Sequence, residues 1–130
     1  MSSVALPWVQ LQWTRSRESE LRYDLREMRQ AIDRYKFFAD HGLVTSQADS
    51  FGYPPDLETL VKGVPFHASP DVKYKFLRRI PIDPMTGTKD WGLRSMQDDP
   101  DSRSWGGQNV FDVYTKSEKT AIDGSRYSDW

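Results

Sequence analysis

Few residues in this chain have the type and spacing to do covalent chemistry. There are two histidines, His41 and His67. A Ser–His–Asp device needs its base held within reach of a nucleophile. Both histidines fall in stretches that read as loops. No Gly-x-Ser-x-Gly elbow, phosphate loop or Gly-x-Gly-x-x-Gly turn occurs. Asp98, Asp99 and Asp101 lie together in a polar loop, where water keeps carboxylates ionised. No catalytic constellation emerges, so no enzyme is expected. Cysteine is absent, which excludes disulfides and thiolate metal sites. His67 has no second ligand at metal-binding spacing. Two oxygen-rich stretches could suit a hard cation: Asp98 to Ser104, and Ser117 to Asp129. Neither has the spaced Asp-x-Asp-x-Asp-Gly order, and on residues alone both read as solvated loops.

What remains is architecture. The chain has 130 residues, enough for one domain with a modest core. Charged residues make up 28%, but five Trp, six Tyr and six Phe supply the bulk that a disordered chain lacks. A formal net charge of −1 gives no broad basic field for nucleic acid. No run of about 18 apolar residues offers a membrane span. No basic, signal-like start is present either. Val4, Leu6, Trp8, Val9, Leu11 and Trp13 crowd together before an abrupt change to charge at Thr14. That change resembles the exit of a helix from a membrane.

Leu21, Leu25, Met28, Ile32 and Tyr35 recur at steps of four and three, the spacing of one helical stripe. The helix covers Thr14 to Asp40 and, with Pro7 near its start, extends back to about residue 8. It stops at His41-Gly42, where glycine can take the left-handed cap conformation. Mixed charges from Arg15 to Arg29 decorate it. Glu18–Arg22 is a favourable i,i+4 pair, worth about 0.2–0.5 kcal/mol. A rod this long cannot be surrounded by the remaining residues, so its N-terminal half needs a partner.

Tyr53-Pro54-Pro55 is extended. Asp56 caps a short helix through Val61, and Gly63 and Pro65 end it. Pro81 and Pro84 make a stiff corner leading to Trp91. Strands are expected over Trp91–Gln97 and Asn109–Thr115, with Phe111, Val113 and Thr115 on one face. The fold class is therefore α+β: a long N-terminal α-helix (1–42) packed on a head (43–130) with a short helix and a small antiparallel β-sheet. The core gathers Leu21, Leu25, Met28 and Ile32 with Trp91, Phe111 and Trp130.

This order of features resembles the type II secretion pseudopilins, close to the major pseudopilin and within the type IV pilin-like superfamily. The residues that carry the likeness are ELRYDLREMRQAIDRYKFFADHG, YPPDLETLV, RRIPIDPMTG before Trp91, and FDVYTKSEKTAIDGSRYSDW. Together they span nearly the whole chain from about Arg17. The resemblance implies a leader cut by a prepilin peptidase, then an apolar half-helix anchored in the inner membrane, with a periplasmic head. By this reading the sequence begins inside that helix, and the chain as given is soluble. Its partners are copies of itself, other pseudopilins and an inner-membrane secretion platform. Its role is to polymerise into a periplasmic filament that drives protein export across the outer membrane. Filament contacts fall to Trp8, Leu11, Trp13, Arg15, Glu18 and Arg22. The family binds calcium in the loop after its Asp-Val-Tyr strand, which implies Ser117, Glu118 and Asp123 as oxygen donors here. No other cofactor is implied. Two alternatives remain: a type IV pilus-type subunit for adhesion or surface redox, and an aromatic-rich binding module using Trp91, Trp105 and Trp130.

Overall fold

The computed structural model describes residues 7–130. Val4 and Leu6 of the apolar N-terminal cluster lie outside the described residues. Helix α1 runs Trp8–Asp40, 33 residues, a rod about 50 Å long at 1.5 Å per residue. It begins immediately after Pro7, whose ψ of 139° is extended. Its end is a double closure. Gly42 at φ 70° lets its own N–H reach the Ala39 carbonyl (3.2 Å), and the Leu43 N–H reaches the Phe38 carbonyl (2.9 Å). Two otherwise orphaned helix carbonyls are thereby satisfied.

Helix α2 (Leu57–Lys62) is capped by the Asp56 carboxylate, which accepts from the Thr59 N–H at 2.7 Å. Four short strands follow: β1 (Val64–Pro65), β2 (Lys73–Tyr74), β3 (Gly92–Arg94) and β4 (Asp112–Tyr114). They form two antiparallel ribbons, β1–β2 and β3–β4. In the second, Leu93 pairs with Val113. A single turn of 3-10 helix, Tyr127–Asp129, precedes the C-terminal Trp130.

The architecture is the expected α+β class, a long helix packed on small antiparallel ribbons, with two differences in detail. The strands are shorter than the sequence suggests, and β1–β2 is an additional ribbon. The chain around β3 and β4 is held by side chains as well as by ladder bonds. Ser95 and Met96 donate backbone N–H groups to Asp98 and Asn109 side chains. Such local acceptors compete with a ladder and shorten it. Gly92 is required by close packing, because a Cβ there would sit 2.3 Å from the Tyr114 ring.

Leu21, Met28 and Ile32 are fully buried, with Leu25 beside them, and they meet Leu60, Trp91, Val110 and Val113 in one core. Each of these helix positions is as expected. Phe111 is a correction: it is 42% exposed, while its neighbour Val110 is fully buried. Regular strand alternation begins only after Phe111, so its ring stands outside the core, edge-on to Tyr53 at 5.1 Å. Trp130 is half-buried against the core, 5.1 Å edge-on from Tyr127.

Candidate functional site

The features that distinguish this chain are the free end of α1, the clasp that holds the helix to the head, and the proline corner beneath it. At the free end, Trp8 is 70% exposed and Trp13 is 65% exposed. Val9 is exposed too, and Leu11 is half-buried. The first fully buried helix residue is Leu21. More than three turns of α1 therefore project beyond the core. Arg15 is exposed on this segment, and Arg17 lies 6.0 Å from the Trp13 ring.

Below it the helix is clasped. Glu18 accepts from the Tyr127 hydroxyl at 2.6 Å and from the Ile122 N–H at 3.0 Å. Burial, with Glu18 next, pushes the Tyr127 phenol up to about 12. The Arg22 guanidinium carbon lies over the Trp130 ring, 3.6 Å from its centre, a cation–π contact. Arg29 donates to Asp112 at 2.8 Å and to the Val113 carbonyl at 2.9 Å. Glu18 and Arg22, expected to face neighbouring subunits, are thus engaged by their own head. The reason lies in the C-terminal segment, which folds back along the helix and brings both Tyr127 and Trp130 to them.

The proline corner is organised by Asp83, which is fully buried. Its carboxylate accepts from the Met85 N–H at 2.8 Å and from the Thr115 hydroxyl. Its backbone N–H and carbonyl bond Thr88 and Gly87, each at 2.8 Å. Trp91 is buried at 3% exposure and donates its indole N–H to the Pro81 carbonyl at 2.9 Å. The corner is a closed hydrogen-bonded knot linking the β4 end to the helix-facing core. Sequence reasoning named the prolines and missed Asp83. The Asp two residues before Met85, inside Pro-x-Asp-Pro, is a turn-forming signal that could have identified it.

Of the expected calcium donors, Ser117 and Asp123 are engaged in local turns. The Ser117 hydroxyl accepts from the Lys119 N–H at 3.3 Å, and Asp123 accepts from the Ser125 N–H (2.9 Å) and hydroxyl (2.6 Å). Those Ser125 bonds hold the Asp123 carboxyl below the usual carboxylate range. Glu118 is exposed. Among the described residues no group of three or more His, Cys, Asp or Glu is placed to hold a metal. Of the three tryptophans named for a binding face, Trp91 is enclosed, Trp105 is exposed and Trp130 is half-buried.

Two surface grooves complete the picture. One, of about 290 Å³, lies along α1 between Arg22, Arg26, Arg29 and Trp130. The other, of about 350 Å³, is lined by Arg103, Tyr114, Lys116 and Arg126. The cations of the second are already matched: Lys116 with Asp90 at 3.0 Å, and Arg103 and Arg126 with Asp129 at 3.7 and 3.4 Å. Among the described residues no helix is long and apolar enough to cross a membrane. Comparison with protein-family models, with curated proteins and with solved structures gives no match.

Proposed function

We propose that this chain is the structural subunit of a pilin-like filament, foremost a type II secretion pseudopilus. One observation carries the reading. The 33-residue helix is buried in an α+β head from Leu21 onward, and its first turns stand clear with Trp8 and Trp13 exposed. A free rod end bearing large aromatics is poorly suited to a lone monomer and well suited to packing against copies of itself. The Pro81–Pro84 corner, closed by Asp83, supports the same reading. It gives the head one rigid shape, which a repeating subunit requires.

In this role the chain acts mechanically. Trp8, Leu11, Trp13 and Arg15 contact neighbouring subunits. The apolar half-helix lies inward and is anchored in the inner membrane before assembly. The heads face the periplasm and form the filament surface. Growth beneath an outer-membrane channel pushes substrates through it. A prepilin peptidase processes the precursor, and an inner-membrane platform adds the subunits.

The test is expression of the natural open reading frame that contains this sequence. The expected result is peptidase-dependent processing and filaments that can be sheared from cells, with export lost on deletion. A chain that is never processed, never polymerises and leaves export intact would sink the reading. A pilus-type machine would instead give filaments with export unaffected.

A further inference from the structure

Asp24 is a charge without a counter-charge. It sits on α1 at 8% exposure, and among the described residues no hydrogen bond or ion pair reaches its carboxylate. The charged groups that face it are Glu20 and Glu27 on its own helix and Asp83 on the corner, all acidic. A helix interior cannot supply N–H donors, because each is already bonded to the carbonyl four residues back. Burial, then these acidic neighbours, raises its carboxyl to about 6. A buried charge of this kind ordinarily has a partner.

Helical spacing shows where one is offered. Glu20, Asp24 and Glu27 follow at i, i+4 and i+7 and share one edge of α1. Arg15, Arg22 and Arg26 share another. At about 100° per residue, the two edges flank the buried Leu21–Leu25–Met28–Ile32 stripe on opposite sides, each about 100° from it. Arg26 is exposed and has no bond to its own head among the described residues. Arg22 stacks on Trp130 while remaining exposed at the groove. One chain thus presents an acidic edge on one side and an arginine edge on the other.

We propose that the acidic edge Glu20–Asp24–Glu27 receives the arginine edge Arg15–Arg22–Arg26 of a second copy of this chain. The inference rests on the pilin-like reading and names the contact that orders the array. Opposite signs on opposite edges make the contact heterologous, so every copy offers both halves and the array propagates. The buried carboxylate then has a purpose. It weakens the free chain and gains its cation only on assembly.

Self-association is measured by sedimentation equilibrium and by NMR titration up to millimolar concentration, at low salt and neutral pH. Asp24→Asn is expected to melt at a higher temperature than the parent while associating about fivefold more weakly. A purely structural role would leave association unmoved or shift both in the same direction. Arg26→Glu and Glu27→Arg are each expected to lose about tenfold in self-association. An equimolar mixture of the two recovers it, because the intact acidic edge of one meets the intact arginine edge of the other, and the two altered edges are also complementary. Absence of association at millimolar concentration, or no recovery in the mixture, overturns the inference. Association that responds only to Trp8 and Trp13 substitutions overturns it too, and leaves the filament reading standing. Rescue by the mixture in a protein that forms no filaments in cells supports the contact and removes the filament reading.

Discussion

Among the described residues two carboxylates are buried, and their surroundings are opposite. Asp83, on the proline corner, is fully enclosed and fully bonded. Asp24, on α1, is nearly enclosed and bonded to nothing among the described residues. The difference comes from the local backbone. A turn leaves N–H groups free, so Asp83 can accept from Met85 two residues on. A helix uses every interior N–H, so Asp24 must look beyond its own segment. A buried charge on an irregular corner can be self-sufficient; on a helix it depends on what packs beside it.

The largest expected effect lies at the satisfied member of the pair. Asp83→Ala leaves the Met85 N–H and the Thr115 hydroxyl without their acceptor in a dry site. We expect a loss of about 3–5 kcal/mol in chemical denaturation, enough to unfold a marginal domain. Stability within 1 kcal/mol of the parent would mean that the corner is held by its prolines alone. Thr115→Val, which removes one donor and keeps the shape, is expected to cost less, about 1–2 kcal/mol.

The unsatisfied member should respond with the opposite sign. Its carboxyl is raised to about 6 in the folded chain, from an ordinary value of 3.8. The folded state therefore holds a proton that the unfolded state has released between these values. Stability rises as pH falls from about 6 to 4, and the ionised group is a cost above 6. Asp24→Asn removes that cost, and a gain of about 1–3 kcal/mol is expected near neutral pH, vanishing near pH 4. Urea melts of parent and variant across this range check it. Parallel curves would show that Asp24 is solvated like any surface acid.

The same contrast explains what could be read in advance. The stripe from Leu21 to Tyr35, the Gly42 stop and the Asp56 cap are local signals, and each acts through the residue's own backbone. They set the α+β class and the helix bounds. Phe111 was misread because alternation assumes a regular strand, and the chain enters this one irregularly: the Val110 N–H turns to the Pro54 carbonyl before the Phe111 N–H meets the Arg94 carbonyl. The β1–β2 ribbon is two residues per strand, too short for any period to show. Glu18 and Arg22 were read as outward contacts because their partners, Tyr127 and Trp130, lie more than a hundred residues away in sequence. The isolation of Asp24 was invisible for the same reason. A carboxylate in a helix full of carboxylates announces nothing until the corner arrives beside it.

The smallest effect on the isolated chain is expected at the free end of α1, where the comparison can be sharpened. Trp13→Ser removes a large aromatic that is 65% exposed, with the Arg17 guanidinium 6.0 Å from its ring centre. Little apolar area leaves water on folding at such a site, so the melting free energy should change by about 0.5 kcal/mol or less. Met28→Ala, about four turns further along the same helix, removes a fully buried side chain and should cost about 2–4 kcal/mol. Both are read in one series of denaturant melts. A large loss at Trp13 would mean that the helix end already packs on its own head, and the free rod would cease to be a free surface. A negligible loss, with association weakened, assigns that ring to the neighbour. The ring at the free end then belongs to contacts between copies, while the stripe from Leu21 onward stabilises the fold.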